Sequence, residues 1–171
     1  MAKAARVSPP DSSTGNLIRD SAMGLVAETI DHYVALTLAI WDKGPLGAAD
    51  IELARLRSAH HVGCVVCKAV RYDVAVADGL DERQASRIGD DISAGDFSPR
   101  QQLILQFVDL YLHSPGLPEK SMQRALDAEF SSEEQAHLAL ALAYFNSSSR
   151  CAVALGGMPD SLPRFEMPVP R

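Results

Sequence analysis

The chain has 171 residues, 47% of them apolar and 22% charged, with a net charge of −6 and an isoelectric point near 5.3. That length suits one domain with a hydrophobic core of its own. The acidic balance leaves no basic footprint for nucleic acid, the apolar run "YVALTLAIW" (33–41) is too short to span a membrane, and three cysteines make no disulfide framework.

The opening "MAKAARVSPPDSSTG" (1–15) lacks the apolar middle of a secretory signal and reads as a flexible tail. A cytoplasmic location is the simplest expectation. "AETIDHYVALTLAIW" (27–41) carries Ile30, Tyr33, Val34, Thr37, Leu38 and Trp41 at helical spacing, and "KGPLG" breaks it. A second helix runs from 48 to about 60, with Asp50 and Glu52 in its early turns, where negative charge suits the helix dipole. Gly63 marks a break. A third helix is expected over 64–78, closed by Gly79, and "LDERQASRIGD" (80–90) forms a short fourth. Ser98 and Pro99 supply an N-cap and a first helical position for "SPRQQLILQFVDLYLH". A shorter helix covers "LPEKSMQRALDAEF". Ser131 with Glu134 three residues on gives a capping box for "SSEEQAHLALALAYFNSSSRCAVALG". The final "MPDSLPRFEMPVPR" is expected to be irregular. No alternating apolar and polar run predicts a strand, and no internal repeat is evident. The reading is all-α: one helical domain over 16–158, six or seven helices, and a Pro-rich tail over 159–171.

The chemistry lies in "ELARLRSAHHVGCVVCKAVR" (52–71). Cys64 and Cys67 are three apart and share a face of a helix, so they can meet as a disulfide. A thiol at a helix N-terminus is favoured as the reactive thiolate. Arg71 lies one further turn along that predicted helix. Its fixed charge can lower a thiol pKa, but it cannot serve as a base. Glu52 on the preceding helix can relay protons if the two helices fold back on each other. A histidine side chain as a type titrates near neutrality, so His60 and His61 are candidates for the proton transfer that Arg71 cannot perform. Against these stand plainer readings: core cysteines, an exposed Glu52, helix-end histidines, and an Arg71 paired with a nearby acid such as Asp73. Cys151 reads as a core cysteine. His60, His61, Cys64 and Cys67 are four potential zinc donors, but one helix cannot wrap four ligands around a tetrahedral ion, so no metal is expected. A thioredoxin-like fold is excluded for want of βαβ units.

These segments resemble the carboxymuconolactone decarboxylase superfamily, and within it the alkylhydroperoxidase D-like branch. The likeness runs from about residue 31 to 157. It rests on Glu-x(11)-Cys-x-x-Cys (Glu52, Cys64, Cys67), on "GLDERQASRIGD", and on Phe145, Asn146 and Arg150 in the closing helix. The resemblance implies an all-α helical bundle that assembles as a homo-oligomer, trimer or hexamer, with no metal or organic cofactor. It implies a thiol-dependent oxidoreductase, a peroxidase or disulfide reductase. Cys67 would attack the peroxide, Cys64 would resolve it as a disulfide, Glu52 would relay protons, and a dithiol would restore the pair. The family's histidine four residues after the second cysteine is Arg71 here, and the histidine that can precede that cysteine is Val66. His60 or His61 is then the candidate substitute. Two alternatives follow from the same likeness: a lactone decarboxylase-type lyase using Arg71, His60 and His61, and a non-catalytic member that binds a small molecule.

Overall fold

The computed structural model describes residues 5–89, 92, 97–114 and 116–171. A 3₁₀ turn at Ala22–Leu25 leads into α1 (Ala27–Lys43) and α2 (Ala48–Val62). Then come α3 (Val65–Ala69), β1 (Val70–Tyr72), α4 (Asp73–Ala77), α5 (Glu82–Ser86), α6 (Pro99–His113), α7 (Lys120–Glu129), α8 (Ser132–Leu155) and β2 (Phe165–Met167).

The central element is α2. An ordinary amphipathic helix buries one stripe, but α2 is buried nearly all round, from Ile51 to Leu56 and again at Ser58 and Ala59. Its two apolar faces serve two clusters. Ile51 and Ala54 pack with Trp41, Val70, Leu142 and Phe145. Leu53 and Leu56 pack with Ala85, Ile88, Phe97 and Leu105. Of the described helices, α8 alone is long and apolar enough to cross a membrane. Here its Leu138, Ala141, Leu142, Tyr144 and Phe145 are buried in the core. The capping box at Ser131 with Glu134 forms as the sequence predicts, and the predicted N-cap at Ser98 is a capping box too, with Gln101.

Two close fits fix the α1–α2 corner. His137, on α8, accepts from the Leu46 N–H at Nδ1 (3.3 Å), which leaves its Nε2–H to donate to the Ile40 carbonyl (2.9 Å). Its ring lies so near Gly44 that a Cβ there would stand 1.8 Å from Cε1. Only glycine leaves that room.

The helix expected over 64–78 is broken. It stops at Ala69, and Val70–Tyr72 extend to pair in parallel with Phe165–Met167, Arg71 opposite Glu166. The segment therefore gives two helices and a strand, and the described residues hold eight α-helices. The same pairing orders part of the segment expected to be irregular. Val169 beyond it is buried in the core. At the other end, the Arg6 N–H donates to the Leu155 carbonyl (2.8 Å), and Asn16 Nδ2 donates to the Arg171 carbonyl (2.7 Å). The last residue expected in the 80–90 helix lies outside the described residues.

Candidate active site

Gly63 makes the site's turn. Its φ of +75° ends α2 in the left-handed region, and its N–H reaches back to the Ala59 and His60 carbonyls. The chain reverses into α3 with Cys64 as N-cap, and the Cys67 N–H donates to Cys64 Sγ (3.2 Å). Cys64 and Cys67 are joined as a disulfide, their Cα atoms 5.3 Å apart. The pair is asymmetric in access. Cys64 is fully buried, with the Met158 sulfur 3.9 Å away. Cys67 is half-buried and lines a cavity of about 380 Å³. Trp41, Val66, Tyr72, Tyr144 and Phe145 form apolar walls of that cavity. Residues of the N-terminal segment, among them Val7, Pro9, Leu17 and Met23, form another wall. Thr37 and Tyr144 present hydroxyls bonded to each other.

Beneath the disulfide lies an ion pair that the sequence reading missed. Glu52 is fully buried, not exposed as the plain reading had it, and Arg55 is 5% exposed. Arg55 Nε donates to Glu52 Oε2 (2.6 Å) and Nη2 to Oε1 (2.7 Å), a bidentate pair. The same guanidinium donates to the carbonyls of Cys67 (2.7 Å) and Val70 (2.8 Å). It also stands 5.1 Å over the Tyr72 ring. Arg55 reaches the cavity wall, whereas Glu52 lies behind it. One residue thus joins the buried carboxylate to the backbone of the accessible cysteine. The signal was present in the sequence as an acid and an arginine at i and i+3 on one helix. Burial pushes the Tyr72 phenol up, with Arg55 opposing, and burial also raises the Tyr144 phenol, so both stay protonated hydroxyls.

The remaining nominated residues lie outside the cavity wall. Arg71, in β1 and not on the cysteine helix, is 5% exposed. It donates to both carboxylate oxygens of Glu82 (3.0 and 3.1 Å) and to the carbonyls of Lys68 and Val70 (2.9 Å each). His60 lies against Gly89. Partial burial holds its pKa below the usual value, aided by the positive charges of Lys68, Arg57 and Arg71. His61 turns to α6 and bonds Asp109 (2.7 Å). The structure therefore brings Cys64, Cys67 and Glu52 together through Arg55, and sets His60, His61 and Arg71 apart. Of the three residues named for a lyase, Arg71 is paired with Glu82 and His61 with Asp109. Cys151 is half-buried, not a core residue. Arg150 Nε donates to Asn146 Oδ1 (2.9 Å), tying together two residues of the closing-helix pattern. Among the described residues, no group of three or more His, Cys, Asp or Glu side chains is placed to hold a metal.

The helical bundle has the alkylhydroperoxidase D-like fold. Solved structures carry the same fold. A protein of unknown function from Agrobacterium tumefaciens, provisionally assigned to antioxidant defence as AhpD, matches with a TM-score of 0.66 and 23% identity over 77% of this chain and 90% of its own. An uncharacterized peroxidase-related protein from Ralstonia eutropha, described as an alkylhydroperoxidase AhpD core, matches at 0.67 and 19% identity over 81% and 74%. A peroxidase-related protein from Silicibacter matches at 0.64 and 17% over 78% and 71%. No family model and no curated protein sequence matches the chain.

Proposed function

We propose that the chain is a thiol-dependent oxidoreductase that reduces an organic peroxide or disulfide at Cys67 and is restored by a dithiol. The observation that carries this reading is the asymmetry of the pair: one sulfur opens on an apolar cavity while its partner is buried within bonding distance. The likeness to peroxidase-related structures supports it.

In the reduced protein the Cys67 thiolate attacks the terminal oxygen of R–O–O–H. An S–O bond forms, the O–O bond breaks, and the alkoxide leaves as ROH after taking a proton. The Cys64 thiolate then attacks the sulfur of the Cys67 sulfenic acid, forming the disulfide and expelling hydroxide, which leaves as water with the proton lost by Cys64. An external dithiol reduces the disulfide by thiol–disulfide exchange and is itself oxidised. The buried guanidinium of Arg55, bonded to the Cys67 carbonyl, fixes the backbone of the attacking cysteine; it keeps its proton, so it does not do the work of the histidine that the resemblance leads one to expect. Because Glu52 is held by Arg55, its part is to orient that guanidinium, so it acts as a positioning residue.

A cytoplasmic protein that assembles as a homo-oligomer fits the same reading. Leu36 on α1 and Leu140 on α8 are 44% and 62% exposed, apolar surface of the kind that a subunit contact covers. Light scattering on the purified chain tests the assembly. For the chemistry, steady-state consumption of an organic hydroperoxide with dithiothreitol should proceed in wild type and stop in Cys67→Ser and Cys64→Ser. Unchanged turnover in Cys67→Ser would sink the reading.

A further inference from the structure

Away from the cysteines, the C-terminal ends of α2 and α6 meet in a ladder of charged and ring groups. Arg57 and His61 are one turn apart on α2, and Asp109 and His113 one turn apart on α6. Arg57 Nε and Nη2 donate to the two Asp109 oxygens (2.8 Å each). His61 Nε2 lies 2.7 Å from Asp109 Oδ1, and His61 Nδ1 lies 3.1 Å from His113 Nε2. The two rings cross at 77° with centroids 4.6 Å apart.

The carboxylate sets the proton positions. Asp109 receives two bonds from the permanently charged Arg57 guanidinium, so it is a carboxylate acceptor. In the neutral pair, His61 therefore carries its proton on Nε2 and points a lone pair from Nδ1 toward His113. This is the carboxylate–histidine arrangement that orients imidazole ligands in metal sites. Two imidazole nitrogens on one tetrahedral ion, each about 2.0–2.1 Å from it, stand about 3.3 Å apart. The 3.1 Å found here is close to that separation, with the ion's place beside the line that joins the two nitrogens. Both histidines sit in the last turns of their helices, where the dipole favours a cation. The His61 side chain is 25% exposed, so an ion can reach it and keep water in its remaining positions.

We propose that His61 Nδ1 and His113 Nε2, with Asp109 orienting His61, form a binding site for a nitrogen-preferring divalent transition ion such as Zn²⁺ that joins the ends of α2 and α6. When the neutral pair binds the ion, the His113 proton moves from Nε2 to Nδ1, so both facing nitrogens offer lone pairs and no proton is released. The site uses neither cysteine and is separate from the thiol chemistry.

The test is calorimetric titration of Zn²⁺ into the full oxidised chain, with Cys64 and Cys67 in their disulfide and Cys151 alkylated, so that no thiolate competes. The expected result is one Zn²⁺ per chain, with affinity at least tenfold weaker in His113→Ala and in His61→Gln. Asp109→Asn keeps both ligands and loses the orienting carboxylate, and should weaken binding roughly 10–100-fold. Circular dichroism checks that each variant is folded. Absence of saturable binding in wild type overturns the proposal. So does binding that survives in both histidine variants, or that is lost in His60→Ala while His113→Ala retains it.

Discussion

Replacing Arg55 by methionine removes the guanidinium and leaves the Glu52 carboxylate fully buried with no counter-charge. Breaking a buried pair from one side costs about 3–5 kcal/mol, and the Cys67 carbonyl loses its donor for about 1 kcal/mol more. The Val70 carbonyl keeps a donor in Arg71, so it adds little. The sum is a loss of about 4–6 kcal/mol. For a chain of this size each kcal/mol moves Tm by roughly 2–4 °C, so Arg55→Met should melt roughly 8–24 °C lower. The double change Glu52→Met with Arg55→Met removes both charges and fills the space with apolar atoms of similar size. It should recover most of the loss, ending about 1–3 kcal/mol below wild type for the orphaned Cys67 carbonyl and Tyr72 N–H. Urea unfolding of the oxidised wild type, Arg55→Met, Glu52→Met and the double variant, followed by far-ultraviolet circular dichroism, gives the four values needed for the cycle. A single variant within about 1 kcal/mol of wild type, or a double variant no better than the single, would refute the view that this pair is a dehydrated, mutually dependent unit.

Gly44→Ala should destabilise by about 1–3 kcal/mol, because its Cβ collides with the buried His137 ring; an unchanged urea midpoint contradicts the close fit. His60 is expected to give a pH signature. Its folded pKa lies below the unfolded value of about 6.5, so its contribution is present above that value and is lost as pH falls through the folded pKa. The urea midpoint of wild type should therefore drop on the acid side of neutrality, and His60→Gln should flatten that slope; an equal slope in the variant argues against it. Removing the N-terminal residues through Pro9 takes away part of one cavity wall and the bonds to Leu155. Reduction of the disulfide by a water-soluble phosphine should then be several-fold faster; an unchanged rate means this segment does not limit access.

The helices were readable because local signals fix them. Capping serines, Pro99, Gly63 and apolar spacing act within a few residues, and the bundle follows from their number and order. The break at Val70 was not readable. Its cause is pairing with Phe165–Met167, more than ninety positions away, and nothing local in "CKAVRYDVAVAD" forbids a helix. That single error misplaced Arg71, which was read as a neighbour of the thiols along one helix and is instead held by Glu82 in a strand. The pairing of Cys64 with Cys67 was legible from their spacing, whereas the burial of Glu52 depends on how the helices fold back. Arg55 was overlooked because an arginine on an apparently amphipathic helix reads as surface; that α2 is covered on both faces by α6 and α8 is a tertiary fact. The histidine pair divides similarly. His61 was noticed for its nearness to Cys64 in sequence, but the turn at Gly63 directs it to α6.

The most direct test of the redox reading is a single turnover. Fully reduced protein is mixed with one equivalent of an organic hydroperoxide in the presence of dimedone, and the cysteines are mapped by mass spectrometry. The account predicts a Cys64–Cys67 disulfide in wild type, a dimedone adduct on Cys67 in Cys64→Ser, and no oxidation of either position in Cys67→Ser. Peroxide consumption that persists in Cys67→Ser, or an adduct that forms on Cys64 while Cys67 stays reduced, would contradict it.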